Sequence, residues 1–448
     1  MQPAAKITLS IRSAASAALL ACLLAGWLVA GLPSPARAAG ATYFISAAGS
    51  DSNSGTSSAA PWRSLAKVNA IILQPGDTVS LRRGDTWTGG IVVSQSGTEA
   101  APITLNGYGS GSAPTITGGK SGNCIRINGN FATVDGLRGV SCGYAGISVT
   151  GDHNTVRNSS AANNAVGIKA GTGSDFGKYT ANVLTNNNIM NVLTQGTNCG
   201  TPQAVNCSDD SGASGVLING NDNELSGNTV SGSTAFSYDY TRDGGSFEIY
   251  NGNRNYIHHN VSLDNNNFSE IGRSTGTADG NTYRYNLVRS TCGANCAQAK
   301  GLIARGPGTS FGPTNGTVFE FNTVYLNGPQ SQAVVCHASC PASTVIRGNI
   351  LAGVKNSLWI NGSGWTERQN VFNGPINVVP NSTSTTAPAR FVNAPADLHL
   401  TSTSPAIDRA GASPAAFDLA GVAVPQDGDC SGASAADSGA YEFDPPNC

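Results

Sequence analysis

The chain has 448 residues, a formal net charge of −2, only 12% charged residues and 56 glycines. A helix-rich domain needs more Ala, Leu, Glu and Lys than this, and without a basic surplus we expect no nucleic-acid partner. Glycine and asparagine together with β-branched residues instead favour many short strands joined by tight turns.

Residues 1–39 have the pattern of a signal peptide. Lys6 and Arg12 precede the apolar stretch AASAALLACLLAGWLVAGL, and SPARAA offers small-residue cleavage sites after Ala38 or Ala39. An uncleaved membrane anchor is the alternative. No later segment is long and apolar enough to span a bilayer. We therefore expect a secreted protein, extracellular or periplasmic, without membrane attachment after cleavage.

The segment SLAKVNAIIL (64–73) predicts a short amphipathic helix. Ser64 is suited to the N-cap, and the helical period puts Leu65, Val68 and Ile72 on one face. Such a helix would cover the open edge of the first coil of a repetitive fold, and we predict it as an N-terminal capping helix.

From about residue 130 onward, a loose pattern of an apolar residue, two variable residues and asparagine recurs. It is seen in ELSGNTV, YIHHNVS, TYRYNLV, VFEFNTV and VIRGNIL, with Asn228, Asn260, Asn286, Asn322 and Asn349 at intervals of 32, 26, 36 and 27 residues. A variable period of this size indicates a β-solenoid, in which each coil stacks on the last at about 4.8 Å. The repeated asparagines are then expected to stack at one corner.

Two strand segments, SFEI (246–249) and FSEI (268–271), place glutamates 22 residues apart. Strand alternation puts Phe247 and Ile249 inside and Glu248 outside, and it places Glu270 outside in the same way. If 22 residues form one coil, the two glutamates stack. The outward positions of successive coils would then be Arg126, Ser148, Lys169, Leu217, Glu248 and Glu270, with Arg305 nearby.

A stacked pair of glutamates allows three interpretations. Repulsion raises one pKa and yields an acid and a base or nucleophile for sugar-bond hydrolysis, as Glu248 and Glu270. Alternatively, a calcium ion lies between them and the turn acids Asp243 and Asp264, with Lys169 or Arg305 as the base of a lyase. Asp264 is predicted to occupy the same place before Glu270 as Asp243 does before Glu248. The third interpretation is a solvated acidic face without function.

Residues near the glutamates suit carbohydrate binding. Tyr238 and Tyr240, beside Asp243, are candidates to stack on sugar rings, although large rings also fill cores. Arg273 closely follows Glu270 and is either a substrate-binding cation or the ion-pair partner of Glu270.

Eleven cysteines are present, and ten remain if Cys22 is removed with the signal peptide. An even number in an exported chain predicts disulfides. The CGANC and CHASC spacings also suit metal, but both lack the second pair of ligands that zinc requires. Pairing between sequence neighbours predicts the bridges Cys124–Cys142, Cys199–Cys207, Cys292–Cys296, Cys336–Cys340 and Cys430–Cys448.

Two segments carry a resemblance. ATYFISAAGSDSNSGTSSAAPWRSLAKVN with PGDTVSLRRGDTWTG (41–89) resembles the entry segment of secreted proteins of the pectate-lyase-like superfamily, and 404–443 resembles a C-terminal extension of such proteins. The resemblance implies an all-β, right-handed parallel β-helix over 40–380 with an extension over 381–448. It also implies a polysaccharide substrate and favours a lyase of an acidic polysaccharide. We expect the protein to be a monomer. A glycoside hydrolase and a non-catalytic glycan-binding protein remain alternatives.

Overall fold

The computed structural model describes residues 40–445 apart from 120, 121, 200, 202 and 204. The described residues form three long parallel sheets, wound as a right-handed parallel β-helix, as the resemblance implied. The predicted signal peptide and Cys448 lie outside the described residues. Among the residues described, no helix combines the length and the apolar character needed to cross a membrane.

A complete coil contributes one strand to each of the three sheets. The 12-stranded sheet contains Thr42–Ile45, Thr78–Arg82, Ile103–Tyr108, Ala132–Asp135, Thr155–Arg157, Lys178–Thr180, Glu224–Ser226, Tyr256–His258, Thr282–Arg284, Val318–Glu320, Val345–Arg347 and Thr366–Arg368. The 10-stranded sheet contains Ile91–Val93, Ile125–Ile127, Ala145–Val149, Val166–Ala170, Ser214–Ile218, Gly245–Tyr250, Asn267–Gly272, Lys300–Arg305, Gln332–His337 and Asn356–Trp359.

The 11-stranded sheet completes the coils. Its strands are Thr86–Thr88, Thr115–Thr117, Arg138–Val140, Ser160–Ala162, Val183–Thr185, Thr229–Ser231, Val261–Leu263, Leu287–Ser290, Thr323–Leu326, Ile350–Gly353 and Val371–Phe372. Three antiparallel pairs leave the coils: Met190–Val192 with Ser211–Gly212, Ala235–Ser237 with Thr241–Asp243, and Phe391–Asn393 with Asp397–Leu400.

The core lies inside the coils because strand alternation turns every second residue inward. In the strand Gly245–Tyr250, Phe247 and Ile249 are fully buried, as predicted, whereas Glu248 between them faces outward. Phe247 contacts Phe268 of the next coil edge to face, with ring centroids 5.7 Å apart. The narrow core thus fixes which side chains each coil presents to the outer face.

The predicted stack of asparagines is confirmed. The side-chain oxygen of Asn286 accepts hydrogen bonds from the backbone and side-chain nitrogens of Asn260, each at 3.0 Å. The same arrangement runs from Asn182 to Asn370 through the five predicted residues. We call this series the asparagine ladder. It satisfies backbone amides that would otherwise be buried without partners at the corner.

The helix near residue 65 is shorter than predicted. It spans Leu65–Asn69, and the Ser64 hydroxyl accepts a hydrogen bond from the Lys67 backbone, which agrees with the predicted N-cap. Leu65 and Val68 are buried, but Ile72 lies beyond the helix and is 74% exposed, so its predicted place on the buried face is wrong. A capping role for this helix stays a prediction.

Four predicted disulfides are present: Cys124–Cys142, Cys199–Cys207, Cys292–Cys296 and Cys336–Cys340. A short 3₁₀ helix, Gly293–Cys296, carries the third. Disulfides are typical of proteins in oxidising compartments, and therefore agree with the expected secretion. The pairing of Cys430 with Cys448 falls partly outside the described residues.

The C-terminal segment packs along the coils. The backbone nitrogen of Ala440 donates to the Thr323 hydroxyl at 2.9 Å, and the Tyr285 hydroxyl donates to Ser413 at 2.8 Å. Buried Ala410 and Ala436 contact the rings of Tyr285 and Phe321. The proposed boundary between 380 and 381 stays a prediction.

Candidate active site

Glu248 and Glu270 lie directly opposite each other on neighbouring strands of the 10-stranded sheet. The interval of 22 residues is therefore one coil, as predicted. The outward positions before them are Leu217, Lys169, Ser148 and Arg126, and the next one after them is Ile303. Both glutamates are half-buried and face a cleft, here called the acid cleft, lined by Asp209, Tyr240, Asp243, Glu248, Glu270 and Arg305.

The two glutamates have different hydrogen-bond partners. Glu248 accepts a hydrogen bond at 2.7 Å from the neutral Ser214 hydroxyl of the preceding coil. Burial and, to a smaller extent, the charge of Glu270 together raise the pKa of Glu248 to about 7. Glu248 is therefore about half protonated near neutral pH, unlike an ordinary surface glutamate.

Glu270 instead forms an ion pair with Arg305 of the following coil. Burial disfavours the charged form of Arg305 and lowers its pKa. The charge of Glu270 and its hydrogen bond act in the opposite direction, and the pKa of Arg305 is raised overall. Arg305 consequently stays charged and cannot accept a proton, which removes it as the base that the sequence suggested for a lyase.

Asp243 reaches the acid cleft from the end of the hairpin strand Thr241–Asp243. Burial raises the pKa of Asp243 well above its usual range, and the charges of Glu248 and Glu270 add to this. Its carboxylate accepts one hydrogen bond, from the Gly244 backbone at 2.7 Å. The cleft therefore holds a second carboxyl group that is protonated more readily than usual.

Asp209 belongs to the acid cleft but was not predicted from the sequence. The Tyr240 hydroxyl donates to it at 2.6 Å, and burial raises the pKa of Asp209. Next to it, buried Asp210 accepts backbone hydrogen bonds from Thr194 and Tyr238, both at 2.7 Å, and so joins this segment to the hairpin. Two adjacent acidic residues in a chain with few charges were a sequence signal for a functional site. The segment carries no repeat, however, that would have aligned it with Glu248.

Two predicted residues lie near the acid cleft without lining it. Lys169 is two strands before Glu248 on the same face, and its amino group lies 5.0 Å from the centre of the Tyr144 ring. Burial lowers the pKa of Lys169. Tyr238 is partly exposed, and its hydroxyl donates to Gln195 at 3.3 Å, whereas the neighbouring Tyr240 does line the cleft.

Arg273 is not the ion-pair partner of Glu270. Its guanidinium donates to the carbonyl oxygen of Pro313 at 3.0 Å and to that of Gly276 at 3.4 Å. These contacts hold the turn that follows the strand. The position beside Glu270 is occupied by Arg305 instead. A substrate-binding role for Arg273 stays a prediction.

Asp264 does not occupy the place of Asp243, and that predicted equivalence is wrong. Leu263 is in register with Ser231, so Asp264 takes the corner position of Gly232 in the preceding coil. Its carboxylate accepts a hydrogen bond from the Thr291 backbone at 2.7 Å. The sequence misled because the hairpin over 235–243 is an excursion that breaks the alignment of the two coils.

The predicted calcium ligands therefore do not form one set. Asp243, Glu248 and Glu270 share the acid cleft, but Asp264 is held at a corner and Glu270 is paired with Arg305. Groups of three ligand atoms within 4.8 Å of one another occur elsewhere among the described residues, and these three acids are not such a group. Calcium binding here stays a prediction, and no chemical step below depends on it.

Two solved structures are similar to this chain in fold. No family model matches this chain. A 75-residue stretch is 45% identical to the lacto-N-biosidase of Bifidobacterium longum subsp. longum, over 16% of this chain and 5% of that protein. The crystal structure of pectate lyase Pel9A is similar with a TM-score of 0.59 and 16% identity, covering 91% of this chain and 98% of that one. The crystal structure of the GH136 lacto-N-biosidase of Eubacterium ramulus is similar with a TM-score of 0.53 and 14% identity, covering 77% of this chain and 67% of that one.

Proposed function

We propose that this protein cleaves glycosidic bonds of a polysaccharide by hydrolysis, with Glu248 as the general acid and Glu270 as the general base. One observation carries the proposal: two carboxyl groups lie in register on adjacent coils, one beside a neutral hydroxyl and the other beside an arginine. Environments that separate the protonation states of two carboxyl groups are the usual basis for assigning an acid and a base.

The reaction then needs no other group. Protonated Glu248 donates its proton to the glycosidic oxygen as the bond from that oxygen to the anomeric carbon breaks. The carboxylate of Glu270 removes a proton from water, whose oxygen forms the new bond to the anomeric carbon. A later exchange of protons with solvent restores both groups. Arg305 holds the Glu270 carboxylate in place through their ion pair.

The partners of the two glutamates favour inversion of the anomeric configuration. Ser214 holds Glu248 from the preceding coil, and Arg305 holds Glu270 from the following coil, so the two carboxyl groups are drawn in opposite directions along the helix axis. We therefore propose that their spacing exceeds the strand spacing of about 4.8 Å by enough for a water molecule to lie between them. Inverting enzymes hold the groups roughly 6.5–9.5 Å apart, whereas retaining enzymes hold them about 5–5.5 Å apart.

A lyase acting on an acidic polysaccharide is the second candidate. Burial lowers the pKa of Lys169, as a base that abstracts a proton requires, and Arg305 carries a charge that would neutralise a uronate. The similar proteins include a pectate lyase as well as lacto-N-biosidases, which supports a carbohydrate-cleaving enzyme of either kind. We place the hydrolase first because Lys169 does not line the acid cleft.

Product analysis on a panel of soluble polysaccharides tests the proposal. We expect new reducing ends without the ultraviolet absorbance of unsaturated uronates, and inverted anomeric configuration by proton NMR early in the reaction. Reducing ends that rise together with that absorbance would identify a lyase and reject the assignment. Retained configuration would keep hydrolysis but make Glu270 the nucleophile.

The pH profile should follow the protonation of Glu248. Because the acid must be protonated and its pKa is raised to about 7, we expect kcat/KM to fall roughly tenfold per pH unit above about pH 7. Initial rates between pH 5 and 9, with protein recovery checked at each pH, measure this. A rate that keeps rising from pH 7 to 9 would instead indicate a base with a higher pKa.

Asp243 is the rival general acid, and Asp243→Asn separates the two assignments. Since burial and both glutamates already favour its protonated form, asparagine closely replaces it, and we expect activity to fall only a few-fold at neutral pH. The comparison is with Glu248→Gln in the same assay. A loss for Asp243→Asn as large as that for Glu248→Gln would transfer the acid role to Asp243.

Chelation tests the calcium prediction directly. If the acid cleft works as an acid and base pair, we expect EDTA treatment followed by gel filtration to change activity less than two-fold and to leave the melting temperature unchanged. Re-addition of calcium to the treated protein is the control. A loss of activity that calcium restores, and magnesium does not, would favour calcium over the ion-free hydrolytic site.

A further inference from the structure

A second cleft opens on the same outer face, beyond Glu270 toward the C-terminal end of the coils. Its lining includes Gln332, Val335, His337, Lys355, Trp359 and Asn361. These residues come from the last two strands of the 10-stranded sheet and the turns beside them. We call it the tryptophan cleft. The mechanism proposed above does not use any of these six side chains.

Strand register places the tryptophan cleft in line with the glutamates. The outward position of Glu270 continues through Ile303 and Val335 to Trp359. Three strand spacings separate Glu270 from Trp359, which is about 14 Å. Both intervening side chains are apolar and 3% exposed, so no charged residue occupies these positions. A span of about 14 Å is long enough for an oligosaccharide, but not for a single sugar, to contact both clefts.

Trp359 presents an exposed aromatic ring in the tryptophan cleft. Its side chain is 41% exposed at an outward strand position, although a large apolar ring there gains nothing from the core. An indole face of this kind suits the apolar C–H face of a pyranose ring. The side chains of Gln332 and Asn361 lie in the same cleft. Their amide groups can both donate hydrogen bonds to sugar hydroxyls and accept hydrogen bonds from them.

Charge distinguishes the two clefts. Among the described residues that line the tryptophan cleft, none is a carboxylate, and exposed Lys355 supplies an ammonium group. Lys300 lies toward the same end, and burial lowers its pKa. The acid cleft, in contrast, has four carboxyl groups and one arginine among its defining residues. An anionic group would be repelled from the acids and attracted beside Lys355.

We propose that the tryptophan cleft is a subsite for a negatively charged sugar residue, such as a uronate, in the chain that is cleaved at Glu248 and Glu270. Trp359 stacks on its ring and Lys355 pairs with its carboxylate. The inference rests on the proposed function for the position of the cleaved bond. The substrate is accordingly an acidic oligosaccharide or polysaccharide, bound across the four strands from Glu270 to Trp359.

Affinity electrophoresis tests this subsite apart from catalysis. Proteins carrying Glu248→Gln, to prevent cleavage, are run in native gels containing polygalacturonate, alginate or neutral galactomannan. We expect retardation by at least one anionic polymer and not by galactomannan. Adding Trp359→Ala or Lys355→Met should weaken that retardation about tenfold in apparent Kd. Trp359→Phe should keep most of it, because a ring remains.

Lys178→Met is the matched control, since Lys178 is an exposed lysine on the 12-stranded sheet. Its retardation should equal that of the parent. Equal retardation of the Trp359→Ala and parent proteins, retardation by galactomannan alone, or no retardation by any polymer would overturn the subsite. If the subsite variants lose binding while Glu248→Gln alone retains full activity, the proposed acid is wrong and the subsite stands.

Discussion

Glu248→Gln and Glu270→Gln should each lower kcat by roughly 10²–10⁴-fold on the polysaccharide that the wild-type protein cleaves. Glutamine keeps the size of each side chain but can neither donate the acidic proton that Glu248 supplies nor accept the proton that Glu270 removes. KM should change little, because neither variant removes the residues of the tryptophan cleft. Steady-state rates at pH 6, with Glu99→Gln as a control on an exposed acid, measure the effect.

Stability measurements show whether such losses arise from chemistry or from unfolding. The folded-state pKa of Glu248 is raised above its ordinary value of 4.5, so ionising it costs folding free energy as the pH rises from about 4.5 to 7. Glu248→Gln removes that cost and should stabilise the fold above pH 7 by on the order of 3 kcal/mol, with no gain at pH 4.

The partner variant should behave differently. Glu270→Gln breaks the ion pair and leaves Arg305 partly buried without its charge partner, so we expect a destabilisation of about 1–3 kcal/mol. Inactive proteins with this opposite pair of stability changes would support a catalytic pair. Two variants as active as the wild type would leave the glutamates as outward residues repeated by the coil period, and would return attention to Lys169.

The regular part of the coils was predictable because it depends on local patterns. Alternation in SFEI and FSEI predicted that Phe247 and Ile249 are buried. The interval of one coil between the two segments predicted that Glu248 lies opposite Glu270. Both inferences need only the two-residue period of a strand and a core on one side of it. The same reasoning correctly stacked the asparagines.

The excursions from the coils could not be predicted in this way. Asp209 reaches the acid cleft from a long segment between strands, and its contact with Tyr240 joins residues from two separate excursions. Asp243 and Asp264 were predicted to be equivalent because the repeat pattern does not show where the hairpin over 235–243 leaves the coil. The ion pair between Glu270 and Arg305 likewise depends on how far the arginine side chain reaches across coils. The distance between the two residues along the sequence does not determine this reach.

The largest effect on stability is expected within the asparagine ladder, from Asn286→Ala. Asn286 is fully buried. Its side-chain oxygen accepts two hydrogen bonds from Asn260, and its side-chain nitrogen donates to the Ile257 carbonyl and to Asn322, both at 2.9 Å. Alanine removes all four of these hydrogen bonds and leaves the Asn260 backbone nitrogen without its acceptor. The Asn260 side chain keeps its bond to the Leu225 carbonyl, and the Asn322 side chain keeps its bond from the backbone nitrogen of residue 286. At about 0.5–1.5 kcal/mol for each lost hydrogen bond and about 1–3 kcal/mol for the unsatisfied amide, we expect a total loss of roughly 3–5 kcal/mol.

Urea unfolding followed by circular dichroism measures that loss as a lower midpoint. The control is Asn393→Ala, which removes an exposed asparagine from the strand Phe391–Asn393 and should shift the midpoint little. Asn286→Asp is the stricter comparison, because it keeps the shape and the acceptor but removes both donated hydrogen bonds and adds a buried charge. It should be at least as destabilising as alanine. An Asn286→Ala midpoint equal to that of Asn393→Ala would mean that water satisfies the corner amides, so the ladder would follow from the fold without stabilising it.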